Sequence, residues 1–361
     1  ESHHPPLFVT RSTAKPPHPN PAMKKPALLS LLFSLLLSSA SPGKSTSEGT
    51  KLFVFGDSYA DTGNWKKSVA SAWRPPYGIT FPGKPAGRFS DGRILADYIA
   101  SYLHIRSPVP YEQRNSRATE LQFGMNFAYG GTGVFDTDVQ QPNLTSQIDF
   151  FRDIIADKVY TKTDLLFSIA FVSIAGNDYA NFLKRGPPDL SLKQFTRTVI
   201  HQLVLDLKRI HNLGVPKVVV TAMEPLGCLP AITFLSGFKN CSKSLNDDTA
   251  FHNHLLQRTL DRLNSHFDKP VFFMLDLYNA FLSVLQRHPF QQGMTGDYNP
   301  LMPCCQGVNG DYQCGSREGD VAKYTICKDP RLAFFWDGVH PAQNGWYQVY
   351  KALRPQLKTI L

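Results

Sequence analysis

The sequence predicts an α/β sandwich organised around a mostly parallel sheet. Three features of the 361-residue chain predict it. Short runs that are apolar throughout recur along the chain. They are rich in β-branched and aromatic residues and end near Gly, Asp or a turn, as strands buried on both faces do. Stretches with apolar residues three or four positions apart lie between these runs and read as amphipathic helices. After residue 51 there is neither a linker-like segment nor an internal repeat, so the alternation belongs to one domain.

The first strand is KLFVF from Lys51, closed by Gly56. A helix follows in GRILADYIASYL from Gly92, with Ile94, Leu95, Tyr98, Ile99 and Leu103 on one stripe. LLFSIAFVSIAG from Leu165 predicts the second strand. SLKQFTRTVIHQLVLDLKRIHNLG from Ser191 predicts a long helix. Phe195, Val199, Leu203, Leu207 and Ile210 form its stripe, Ser191 suits its N-cap and Gly214 its stop. KVVVTAM from Lys217 and VFFMLD from Val271 predict two further strands. NDDTAFHNHLLQRTLDRLNSHF from Asn246, LYNAFLSVLQR from Leu277 and NGWYQVYKALRPQL from Asn344 predict the remaining helices. Segments 59–90, 105–143 and 291–335 read as long loops at the carboxyl ends of the strands, where open α/β sheets place their ligands.

The N-terminus has a different character. Met23 is followed by Lys24 and Lys25, the apolar run ALLSLLFSLLL and the small residues SSAS. A charged, an apolar and a small-residue region in that order read as a secretory signal peptide. The apolar run is shorter than the about 20 residues that cross a bilayer; a membrane anchor is the alternative. The expected organisation is a leader at 1–22, untranslated or vector-derived, a signal peptide at 23–40, a flexible mature N-terminus at 41–50 and one folded domain at 51–361.

With 42% hydrophobic and 19% charged residues, the chain is globular rather than disordered. Its net charge of +9 is scattered, with no basic run interleaved with aromatics, which argues against a nucleic-acid partner. The charge is compatible with a transient contact to a lipid or cell-wall surface.

Six cysteines in an exported chain imply disulfides, with fifteen connectivities open. Cys228 and Cys241 bracket a short loop and form the first expected pair. Cys304, Cys305, Cys314 and Cys327 are expected to pair among themselves and staple the region 291–330. No Cys-x-x-Cys or His-Glu-x-x-His spacing supports a metal site. Asn143-Leu-Thr and Asn240-Cys-Ser are glycosylation acceptors if the chain is exported.

Four places carry residues that could share one chemistry. Gly56-Asp57-Ser58 puts a serine just past the first strand; alone, it is more simply a turn serine. NFAYGGTG, Asn126 to Gly133, lets backbone N–H groups approach a ligand, and one of them could hold an oxyanion; alone, it is a flexible loop. In SIAGNDY, Asn177 closes the second strand and could donate to the same oxyanion, or could cap a helix. In FFWDGVHPAQNGW, Asp337 and His340 are three apart on a loop before the last helix, and Pro341 keeps His340 extended. A loop that short lets the carboxylate reach one imidazole nitrogen while the other faces a nucleophile. Together these residues supply a nucleophile, a base, an orienting carboxylate and oxyanion donors.

FVFGDSYADTGN, GRFSDGR from Gly87, NFAYGGTG, GND and WDGVHP, in this order, resemble the sequence blocks of the plant GDSL esterase/lipase family within the SGNH hydrolase superfamily. The resemblance runs from Lys51 to the C-terminus, with one departure: Tyr59 stands where the family name implies leucine. It implies a flavodoxin-like three-layer α/β/α sandwich with a mostly parallel central sheet, so that 51–361 is a hydrolase domain. It also implies a secreted serine esterase with Ser58 as nucleophile and first oxyanion donor, and Asp337 and His340 as acid and base. Gly131 would be the glycine donor, with Gly130 as its alternative, and Asn177 the side-chain donor. No cofactor or metal is implied, and the expected partner is a small-molecule or lipid ester.

The implied reaction is acyl transfer from an ester to Ser58 and then to water. A Gly-x-Ser-x-Gly elbow is absent from the chain, which separates it from the α/β-hydrolase pattern. An acyltransferase would use the same site, and a secreted binding protein could keep the fold without activity. Trp65, Trp73, Tyr77 and Phe81 follow the nucleophile in one loop and either line a substrate pocket or pack.

Overall fold

A computed structural model describes residues 49–286 and 299–361. The expected leader, signal peptide and nearly all of the flexible N-terminus lie outside the described residues, as do residues 287–298 of the expected long loop and helix end.

Strand β1 (Lys51–Gly56) lies inside a six-stranded parallel sheet. The other strands are β2 (Val109–Pro110), β3 (Gly124–Asn126), β4 (Ser168–Ser173), β5 (Lys217–Thr221) and β6 (Phe272–Leu275). Their order is β2-β3-β1-β4-β5-β6. The chain leaves β1 toward one edge and returns on its other side, so a topological switch point lies at the carboxyl end of β1. Open α/β sheets place their crevice there.

The reason β1 is apolar from Leu52 to Phe55 lies in its two faces. Phe53 and Phe55 enter one core with Met125, Val172 and Val220. Leu52 and Val54 enter the other with Ile169, Phe171 and Val219. Each fully buried side chain of this kind contributes roughly 1.5–3 kcal/mol relative to exposure.

Helices cover both faces. α1 (Leu95–Tyr102), α8 (Leu277–Leu285) and α9 (Gln343–Ile360) cover the second face. α2 (Leu144–Ala156), α5 (Leu192–Asn212) and α7 (Lys243–Asn264) cover the first. The short helices α3 (Lys162–Leu166), α4 (Gly176–Arg185) and α6 (Pro230–Thr233) complete the set. The arrangement is the expected three-layer sandwich. Ser191 caps α5 as expected, accepting from the Gln194 N–H.

Some elements differ from expectation. The strand expected from Leu165 starts at Ser168, because Thr161 and Asp164 form a capping box that opens α3 just before it. β2, β3 and α2 lie inside the stretch 105–156, most of which reads as loop. At the start of α2 the Asn143 side chain accepts from the Ser146 N–H and donates to Asp136. Asn240 is exposed, and the cysteine beside it is paired.

The disulfides are Cys228–Cys241, Cys304–Cys327 and Cys305–Cys314. The last two staple a region with two separate antiparallel pairs, β7 (Cys305–Gly307) with β10 (Tyr324–Ile326) and β8 (Arg317–Glu318) with β9 (Val321–Ala322). Among the described residues no helix is long and apolar enough to cross a membrane.

Candidate active site

At Gly56 β1 stops in a conformation only glycine tolerates. Its φ is +142°, and a Cβ there would sit 2.0 Å from the Ser173 carbonyl oxygen. Gly56 still pairs with Ser173 of β4 but lies beyond the register with β3, so on that side it needs other partners. The buried Gln147 of α2 accepts from the Gly56 N–H at 2.8 Å and donates to its C=O at 2.9 Å. The next residues turn at once: Ala60 and Asp61 donate to the Asp57 carbonyl, and the Tyr59 N–H donates to the Asp57 side chain. Ser58 stands at the head of that turn.

The Ser58 hydroxyl lies 2.8 Å from His340 Nε2. His340 Nδ1 lies 2.9 Å from both oxygens of Asp337. The loop carrying these two residues is closed by the Phe335–Pro341 bridge and by Trp336 and Ala342 N–H groups donating to the His340 and Phe334 carbonyls. Phe334, Phe335 and Trp336 are fully buried and anchor it. Asp337 also accepts from the Val339 and His340 N–H groups and from the Tyr77 hydroxyl at 2.8 Å. Burial raises the Asp337 carboxyl, but the His340 charge and these hydrogen bonds outweigh it and leave the group below the ordinary carboxylate range.

The GRFSDGR block holds this loop against Ser58. The Phe89 ring packs on His340 at 5.1 Å. The Ser90 hydroxyl donates to the Pro341 carbonyl, and Asp91 accepts from the Gln343 N–H. Arg88 forms a two-point ion pair with the buried Asp97 at the start of α1. Tyr59, the departure from the family name, is buried against Trp346 and Phe281, and its hydroxyl donates to the Val339 carbonyl at 2.8 Å. A leucine could not make that tie between the two loops.

The neighbours of β1 bring the remaining groups. The glycine loop follows β3, and Asn177 sits in the first turn of α4, just past β4. Asn177 Nδ2 donates to the Thr132 carbonyl at 2.9 Å. Asp178 accepts from the Val134 and Phe135 N–H groups at 2.8 and 2.9 Å, which fixes one loop to the other. Ala175, just before α4, has a φ of 114°, a left-handed conformation that costs a non-glycine residue about 1–3 kcal/mol.

The two candidate glycines differ in their N–H groups. The Gly130 N–H donates to Asp61 at 2.9 Å. Neither the Gly131 N–H nor the Ser58 N–H has a hydrogen-bond acceptor among the described residues. Asp61 also accepts from Gly63, Asn64 and Trp65, tying the segment after Ser58 to the glycine loop. Burial pushes Asp61 and Asp178 up to about 6, while the N–H groups they accept from pull the other way.

The four loop aromatics separate. Tyr77 reaches Asp337. Trp65 packs on Phe89. Trp73 and Phe81 line a different cleft, with Arg93 stacked 3.8 Å over the Phe81 ring. Reading the sequence missed the positioning roles of Asp61, Asp178, Tyr77 and Gln147. Among the described residues no group of three or more His, Cys, Asp or Glu side chains converges as a metal site.

The description "GDSL-like Lipase/Acylhydrolase" belongs to the family whose profile matches residues 52–353. The chain belongs to this family. Two GDSL esterases/lipases of Arabidopsis thaliana are 50% and 49% identical over 315 and 314 residues, spanning 86% of this chain and 88% and 89% of theirs. Acetylajmalan esterase 2 of Rauvolfia serpentina is 30% identical over 332 residues, spanning 85% of this chain and 90% of its own. This GDSL protein is therefore a carboxylic-ester hydrolase.

Proposed function

We propose that this esterase works through Ser58, His340 and Asp337 and an acyl-enzyme intermediate. The observation that carries the reading is the continuous chain of contacts from the Ser58 hydroxyl through both imidazole nitrogens to Asp337. His340 Nε2 takes the hydroxyl proton as Ser58 Oγ bonds to the ester carbonyl carbon. The C=O electron pair moves onto oxygen, and the anion meets the Ser58 N–H, the Gly131 N–H and the Asn177 amide. Collapse breaks the bond to the alcohol oxygen, which takes the proton from His340. Water then attacks the acyl-serine by the same route, and the acid leaves. Asp337, held ionised, keeps the proton on Nδ1 and supports the imidazolium.

Gly131 is preferred over Gly130 because its N–H is uncommitted. Export through the N-terminal segment is part of the same reading, supported by three disulfides, which persist in oxidising compartments. The substrate is a small-molecule or lipid ester. The test is Ser58→Ala: ester hydrolysis falls to background with an unchanged circular dichroism spectrum, and retained turnover refutes the assignment.

A further inference from the structure

Two cavities flank the Ser58–His340 pair, one lined by Ser58 and the other by His340. The first, about 190 Å³, is lined by Ser58, Asn177, Leu226, Leu229, Ile232 and Glu224. The second, about 400 Å³, is lined by His340, Tyr77, Phe89, Phe234, Phe238 and Tyr312. Val339 and Ala231 border both, and the Ala231 N–H donates to the Gly338 carbonyl, so this pair forms the wall between them.

We propose that the first cavity is the acyl pocket and the second the alcohol cleft, which makes this enzyme selective for short acyl groups esterified to bulky, ring-bearing alcohols. The assignment rests on the triad reading. In the tetrahedral intermediate the acyl carbon carries four groups: Ser58 Oγ, the oxyanion, the departing alcohol oxygen and the acyl chain. The departing oxygen must receive its proton from His340 Nε2, so the alcohol extends along the cavity that His340 lines. The acyl chain is left with the cavity bounded by Ser58 and Asn177.

Size and chemistry then set the preference. The acyl pocket, at about 190 Å³, has less than half the volume of the alcohol cleft, at about 400 Å³. The cleft is walled by five aromatic rings, which meet a ring-bearing alcohol by edge or face contacts. Phe234 is 66% exposed at the cleft, its ring edge-on to Phe238.

The acyl pocket is apolar except near Ser58 and at Glu224. Burial pushes the Glu224 carboxyl up to about 7; its own backbone N–H, His340 and the Tyr59 hydroxyl pull it down. Asp57 is the other buried carboxyl that faces it. A short acyl group leaves room for water at Glu224, whereas a long alkyl chain laid along the pocket would strip the carboxyl of solvent at a cost of kcal/mol scale. Glu224 is thus a specificity-determining residue that limits acyl length.

The test is a panel of kcat/KM values on the full chain. 2-Phenylethyl acetate, butyrate and decanoate vary the acyl side, and ethyl acetate against 2-phenylethyl acetate varies the alcohol at similar leaving-group basicity. The expected result is acetate or butyrate over decanoate by at least tenfold, and 2-phenylethyl acetate over ethyl acetate by about tenfold. Glu224→Ala should raise the decanoate-to-acetate ratio about tenfold. Glu224→Gln should shift the ratio in the same direction and serves if the alanine variant folds poorly. Phe234→Ala, at an exposed position, should lower the 2-phenylethyl preference threefold or more and leave the acyl profile unchanged. A wild-type preference for decanoate, or acyl selectivity that moves with Phe234 and not with Glu224, overturns the assignment while Ser58-dependent turnover leaves the triad standing. Ester turnover that does not depend on Ser58 fells both.

Discussion

Replacing Asn177 by alanine isolates one of the proposed oxyanion donors. The Asn177 amide is held by one hydrogen bond to the Thr132 carbonyl at 2.9 Å, which leaves its second N–H for a ligand. Losing that neutral hydrogen bond costs the fold about 0.5–1.5 kcal/mol. Losing an oxyanion donor costs the transition state more, about 2.7–4 kcal/mol, or 10²–10³ in kcat. The two effects therefore separate. Thermal unfolding should move by a few degrees at most, kcat should fall at least a hundredfold, and KM should change little, because the negative oxygen exists only past the ground state. Initial rates on a short-chain ester, measured beside an unfolding curve, read both. A kcat within threefold of wild type in a folded protein would remove Asn177 from the oxyanion site.

Two further outcomes follow from buried groups. Tyr77→Phe removes the hydroxyl that donates to Asp337; hydrogen bonds to charged groups are worth about 1.5–3 kcal/mol. Asp337 keeps its donors from Val339 and His340, so kcat should fall on the order of tenfold with the fold intact, and an unchanged rate would make Tyr77 a packing residue. Glu224 titrates at about 7 in the fold against an ordinary 4.5. Its protonated form is the one the fold favours, so its contribution is complete below about pH 4.5 and is lost as the pH rises through 7. Glu224→Gln lacks this loss. Relative to wild type it should gain roughly 3 kcal/mol in denaturant unfolding between pH 4 and pH 8, and a constant gap would contradict the buried titration.

The sequence carried most of the architecture because its long elements announce themselves locally. The stripe of α5, its Ser191 cap and the unbroken apolar run of β1 each need only neighbours in the chain. β2 and β3, two and three residues long, are too short to show a period, so the segment that places the glycine loop beside β1 read as loop. The candidate site was legible where the proposed chemistry demands particular residue types at element ends: Ser58, Asn177, and Asp337 with His340. Its supports were not. The Tyr77 hydroxyl meets a carboxylate 260 residues away, and Asp61 reaches Gly130 across 69 positions. Nothing adjacent to either residue marks it. Likewise, two neighbouring glycines are equivalent in sequence, and only the commitment of the Gly130 N–H to Asp61 tells them apart.

The most direct measurement of the central claim is covalent labelling with a fluorophosphonate followed by peptide mapping. The account predicts a single adduct on the peptide containing Ser58, loss of ester hydrolysis in step with its formation, and slower labelling in His340→Ala. An adduct on a different serine, or full hydrolysis by protein whose Ser58 is blocked, would contradict it.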